Sequence, residues 1–120
     1  MSTKEIIQNY FAAIHKGGWE SYVADDMVFV NSSLDKVALG KAAYLEGAGR
    51  FFKMTTTVDI RQMLIENEKV AVIARYHVRS PKGSEGVCDV AEFLTVKGEK
   101  LISSAIFFDT KALAEFMAQK

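Results

Sequence analysis

Four segments, Thr55 to Ile65, Val70 to Arg79, Gly86 to Val96 and Leu101 to Phe108, are rich in β-branched and aromatic residues and are joined by very short connections. A parallel return would need a crossover of about a dozen residues or more. The connections here, Asn67-Glu68, Ser80 to Glu85 (holding the only proline, Pro81) and Lys97-Gly98, are turn-like. The chain thereby favours an antiparallel meander, and one face of such a sheet must be buried under something else.

The covering layer is written before the meander. Ile6, Ile7, Tyr10, Phe11 and Ile14 recur at helical spacing, while Lys4, Gln8, Asn9 and Lys16 look outward. Ser2 and Glu5 have the spacing of a capping box, and Gly17-Gly18 is a stop. Trp19, Tyr22 and Val23 predict a second, very short helix. Asp25-Asp26 read as helix-stop and turn residues ahead of the apolar run Met27-Val28-Phe29-Val30, a strand. A polar loop follows from about Ser32 to Gly40. Ala43, Tyr44, Ala48, Phe51 and Phe52 then keep helical spacing despite Gly47 and Gly49. Lys111 to Met117 adds a terminal helical turn or two.

At 120 residues the chain is read as one domain, 1–120, able to bury a core without metal or disulfide. Fifteen basic and fifteen acidic side chains balance with no long block of either sign, which speaks against nucleic acid or an anionic membrane as partner. There is no signal-peptide pattern and no apolar run long enough to span a bilayer, so a cytoplasmic protein is expected. The single Cys88 cannot form an internal disulfide. Beside Asp89 it has no basic neighbour to activate it, so it reads as a small buried apolar residue. His15 ends the first helix and has no second histidine at ligand spacing, so neither metal nor cofactor is implied.

This order of elements, with Trp19, Ala24-Asp25-Asp26-Met27-Val28-Phe29, Gly98-Glu99-Lys100-Leu101-Ile102 and Phe107-Phe108-Asp109-Thr110, resembles the nuclear transport factor 2-like superfamily, and within it SnoaL-like and ketosteroid isomerase-like proteins of cystatin-like fold. The resemblance implies an α+β fold: a cone-shaped barrel in which a strongly curved, mostly antiparallel sheet wraps around about three N-terminal and central helices. It also implies a small-molecule pocket at the open end. Ile7-Gln8-Asn9-Tyr10-Phe11-Ala12-Ala13 resembles the segment that carries the isomerase's oxyanion-hole tyrosine, at Tyr10. The position of the isomerase's aspartate base falls on Asn31, and that of its protonated aspartate near Ala91. An amide cannot take up a proton and a methyl cannot donate one, so the isomerase mechanism does not carry over.

Alternation leaves two phases for the meander. By pattern alone Val70, Val72, Ala74, Tyr76 and Val78 form the buried face and Arg75, His77 and Arg79 a solvated one. The resemblance implies the reverse phase, because the outer sheet face of that superfamily is often covered in a dimer. On that phase Arg75, His77 and Asp89 converge in the cone, and Glu92 points outward. The expected pocket is then lined by Tyr10, Ile14, Phe29, Asn31, Ile73, Ile106 and Phe108, with polar contacts from some of Arg75, His77 and Asp89. His77 or Asp89 would be a proton acceptor, Tyr10 a donor and Arg75 a partner for negative charge. The outer face would carry Val70, Val72, Tyr76, Val78, Val90, Leu94, Ala105 and Phe107, an apolar patch that predicts a two-fold homodimer.

Two functions stay open. One is a proton-transfer enzyme of isomerase, cyclase or dehydratase type acting on a hydrophobic carbonyl or polyketide-like compound that can itself be acidic. The other is a non-catalytic ligand-binding or dimerisation module. A convergent polar cluster in the pocket favours the first.

Overall fold

Ser2 opens the first helix, α1 (Thr3–Lys16), through the expected capping box: its Oγ accepts from the Glu5 amide at 3.1 Å, and the Glu5 carboxylate accepts from the Ser2 amide at 3.2 Å. Gly17 and Gly18 end it with φ of 103° and 88°, values that side chains with a Cβ rarely adopt. A short 3-10 turn, Trp19–Tyr22, follows. The buried Trp19 ring meets Phe52 edge-on at 4.7 Å and Tyr44 at 6.1 Å, which docks this turn on the second helix, α2 (Lys41–Lys53).

The computed structural model describes residues 1–118. It holds six strands, β1 (Val23–Asn31), β2 (Lys36–Leu39), β3 (Thr55–Glu66), β4 (Lys69–Arg79), β5 (Glu85–Lys97) and β6 (Lys100–Phe108), and a last helix, α3 (Thr110–Met117). They form one sheet in the order β2-β1-β6-β5-β4-β3. The meander β3 to β6 is antiparallel throughout, as its short turns require. At Gly98-Glu99 both residues take positive φ, the twist that suits a two-residue hairpin. β1 joins β6 in parallel, the one crossover. The result is the expected α+β architecture with one departure: the sheet stays open, ending in β2 and β3, and does not close into a barrel.

Two local expectations are corrected. Asp25 and Asp26 lie inside β1, exposed between the buried Val23 and Met27, where the pairing with β6 is irregular. The stretch expected to be a polar loop contains β2, a four-residue edge strand hairpinned on β1. Its Val37 and Leu39 stay exposed, so no buried face announces it.

The meander buries the face that simple alternation favours. Val70, Val72, Ala74, Tyr76 and Val78 on β4 and Cys88, Val90, Glu92 and Leu94 on β5 face the helices, together with Ile7, Tyr10 and Phe11 of α1 and Tyr44 and Phe52 of α2. Burying Arg75, His77 and Asp89 instead would desolvate three ionisable groups at several kcal/mol per ion while exposing five apolar side chains.

Candidate functional site

Between α2 and the concave side of the sheet lies a cavity of about 510 Å³. Its walls are largely apolar. Phe29 comes from β1, Ala48, Phe51 and Phe52 from α2, Val90 from β5, and Ile106 and Phe108 from β6. Lys36 of β2 and Glu46 and Arg50 of α2 also line it and are exposed, forming a charged rim; Arg50 Nη1 lies 3.4 Å from Glu46 Oε1.

One carboxylate interrupts these apolar walls. Glu92 lines the cavity and is 5% exposed. Its Oε2 accepts a 2.6 Å hydrogen bond from the Tyr76 hydroxyl. Burial pushes the carboxyl up to about 7, although the Tyr76 bond works the other way by favouring the charged form. A pair of phenols stands beside it: Tyr44 lines the cavity and shares a 2.6 Å hydrogen bond with Tyr10. Burial raises both phenols well out of the physiological range, and the charge of Glu92 adds to it. At neutral pH the site thus offers one half-ionised acid and protonated phenols able to donate. Cys88 also lines the cavity, and its thiol is pushed up to about 11, first by burial and then by Asp89, so little of it is thiolate at neutral pH and it is given no part in the chemistry.

Of the residues expected at the site, Phe29, Asn31, Ile106 and Phe108 line the cavity. Tyr10 is sealed one layer behind, at 1% exposure, with Tyr44 between it and the ligand space. Ile14 belongs to the closed core. Ile73, Arg75, His77 and Asp89 lie on the opposite face of the sheet. There Arg75 grips Asp89 with two hydrogen bonds, Nε to Oδ1 at 2.8 Å and Nη2 to Oδ2 at 3.0 Å, and His77 Nε2 meets Asp59 Oδ2 at 2.8 Å. The first is a cross-strand ion pair and the second a cross-strand hydrogen bond, both at a partly solvated surface, and the Arg75 bond holds the Asp89 carboxyl below the usual range. The expected convergence of Arg75, His77 and Asp89 in the cone is therefore corrected.

Ala91 faces outward, and Glu92, expected to point outward, occupies the inward position next to it, so the phase of β5 is corrected by one residue. Glu92, Tyr76 and Tyr44 were missed. The signal was available: on β5 the parity Cys88, Val90, Glu92, Leu94 is apolar except for one carboxylate, and Glu is almost never buried without a partner. Among the described residues no group of three His, Cys, Asp or Glu is arranged to hold a metal ion.

The outer face differs from expectation in membership. Val70, Val72, Tyr76, Val78, Val90 and Leu94 are buried inside, and only Ala105 and Phe107 of the expected set lie outside. They are joined there by other apolar groups. Ile73 sits opposite Ala91, which faces Phe107; Ala71 sits opposite Phe93, which faces Ala105, which faces Val30. Ile73, Phe93, Phe107 and Leu64 are 43 to 65% exposed.

Residues 7–104 match the SnoaL-like domain. The chain belongs to that family. Solved structures share the fold of this SnoaL-like domain at low identity. TerC, co-crystallised with polyporic acid, is 20% identical with a TM-score of 0.81 over 98% of both chains. A protein from Jannaschia sp. CCS1, proposed to be a SnoaL-like polyketide cyclase, is 15% identical with a TM-score of 0.81 over 98% of this chain and 93% of its own. A Catenulispora acidiphila protein of ketosteroid isomerase-like fold, in complex with trimethylamine, is 19% identical with a TM-score of 0.73 over 91% and 88%. No curated protein matches the sequence. No helix among the described residues is long and apolar enough to cross a membrane.

Proposed function

We propose that this SnoaL-like domain is a proton-transfer enzyme, of isomerase, cyclase or dehydratase type, acting on a hydrophobic carbonyl compound of polyketide-like character. The observation that carries the reading is Glu92: a carboxyl held near neutrality, facing an apolar cavity, beside a phenol pair. In its ionised form Glu92 takes a proton from the carbon next to the ligand carbonyl. Tyr44, backed by Tyr10, donates a hydrogen bond to the oxygen on which negative charge then develops. The protonated Glu92 afterwards returns its proton. Delivery to another carbon isomerises the ligand, delivery to a leaving hydroxyl dehydrates it, and where the enolate carbon instead attacks a second carbonyl to close a ring, that carbonyl's oxygen takes the proton. Tyr76 keeps the carboxyl oriented through its hydrogen bond.

The small-molecule complexes of TerC and of the Catenulispora acidiphila protein support a small-molecule ligand here as well. With Glu92 inside, an anion is disfavoured deep in the cavity, so an acidic ligand would turn its charge to Lys36 and Arg50 at the rim. The reading extends to a two-fold homodimer through the apolar outer sheet face, and to the reducing cytoplasm, where the lone Cys88 stays a thiol. A non-catalytic ligand-binding module is the second reading, favoured by the Tyr76 bond, which satisfies Glu92 as a purely structural partner would.

Hydrogen-deuterium exchange next to the carbonyl of a panel of aromatic ketones and β-dicarbonyls separates the two, because every version of the reaction begins with that step. Exchange catalysed by the parent should fall by about 10² to 10⁴ in Glu92→Gln. Binding of panel members without any catalysed exchange would leave only the binding module.

A further inference from the structure

The last helix lies over the cavity although none of its residues is buried. Leu113 lines the cavity, and Asp109, which caps the helix, lies close enough to Cys88 for its charge to raise the thiol. Phe116 reaches the sheet, with its ring resting on Gly86 of β5. A Cβ at position 86 would sit 2.8 Å from Phe116 Cε1 and 3.0 Å from Cδ1, nearer than packed atoms come. Gly86 has the same parity on β5 as Cys88, Val90 and Glu92, so the ring fills the space that a side chain takes at the other inward positions.

Its backbone does not need glycine, since its φ lies outside the positive region that Gly17, Gly18, Gly40, Gly83 and Gly98 occupy. A glycine inside a strand costs stability and contributes no packing of its own. What position 86 provides is a notch for an aromatic ring. The remaining ties of α3 are slight. Asp109 Oδ1 accepts from the Ala112 amide at 2.9 Å, within the helix's own first turn, and Lys111 pairs with Glu115 at 3.9 Å on the exposed side. An element held by so little apolar surface opens at a far lower free energy than the core beneath it.

We propose that α3 is a lid over the ligand cavity, latched by Phe116 in the Gly86 notch and turning about Asp109 and Thr110, and that ligands enter when the latch lifts. This goes beyond the proton-transfer reading, because the lid would gate the cavity whether or not Glu92 performs chemistry. It also has a built-in reporter. Cys88, the only cysteine, lines the cavity two residues along β5 from the notch.

The experiment is the rate at which 5,5′-dithiobis(2-nitrobenzoic acid) modifies Cys88 at fixed pH, in the parent, Phe116→Ala and Gly86→Ala. Removing the ring or filling the notch should each raise the rate about tenfold, the factor that matches roughly 1.4 kcal/mol of lost latch free energy. The rise should hardly depend on urea below the unfolding transition, because a lid exposes little surface on opening. Rates equal to the parent's in both variants would overturn the proposal. So would a rise that steepens with urea like global unfolding, since the thiol would then be reached through the unfolded chain. Neither outcome bears on catalysis by Glu92, which the exchange assay reads separately.

Discussion

A carboxylate beside two phenols in an apolar cavity is costly to the fold, and the cost has a pH signature. Because burial raises Glu92 from 4.5 to about 7, the folded state holds its proton more tightly than the unfolded state does. Stability from this group is intact below about pH 4.5, erodes as pH rises toward about 7, and is gone above it, a loss of about 3 kcal/mol. Glu92→Gln cannot titrate, so it should match the parent near pH 4 and melt higher than the parent at pH 8. Parallel melting curves for the two proteins across that range would mean that the acid is solvated. Asn31 gives a second test at this scale. It lines the cavity where the isomerase resemblance places a base, so the parent should isomerise unsaturated ketosteroids at background rate. Asn31→Asp should raise that rate measurably, by up to about 10² if the added carboxylate is well placed. Robust turnover by the parent would point to Glu92 as sufficient alone.

At the level of single elements, strand existence was readable from β-branched and aromatic content, and the meander from the shortness of its turns. The phase of β4 and β5 was readable too, in the valines at alternate positions, but the superfamily comparison argued for the opposite phase and carried Arg75, His77 and Asp89 inward with it. A one-residue change of phase moves every side chain to the other face, which is why one wrong choice displaced the acid, the base and the anion partner together. The phase is tested by two substitutions on opposite faces of β4. Val72→Ala, at a position 2% exposed, should cost roughly 1 to 3 kcal/mol. Arg75→Ala should cost about 0 to 1 kcal/mol and leave any thermal shift by carboxylated ligands unchanged, because its ion pair with Asp89 is on the outside. β2 was beyond reach, since a four-residue edge strand with exposed apolar side chains carries no burial pattern. Phe116 was likewise hidden, because nothing local shows that a helix at the chain's end will settle on a glycine thirty residues earlier.

For the molecule as a whole, the curved sheet separates two kinds of apolar surface: an inner one arranged around an acid, and an outer one that is continuous and exposed. The outer patch around Ile73, Phe93 and Phe107 should make the protein a dimer at micromolar concentration by light scattering. Phe107→Glu should give monomers while leaving ligand binding within about twofold, since the residue has no part in the cavity. A monomeric parent would remove the dimer from the reading.

The crossover that places β1 beside β6 also sets the order in which the protein can be made. The amide of Phe108 donates to Ser33 Oγ across 75 residues of sequence, and that of Ser32 to the Ile106 carbonyl. On the ribosome, β1 and β2 emerge well before β6, so β1 has no inner neighbour until β6 leaves the exit tunnel. The early half of the chain must wait with an unpaired strand edge, the form most exposed to self-association. Folding should therefore be slow for a domain of this length, with the β1 to β6 closure among its final events, and nascent chains stalled before residue 100 should be the ones that chaperones hold.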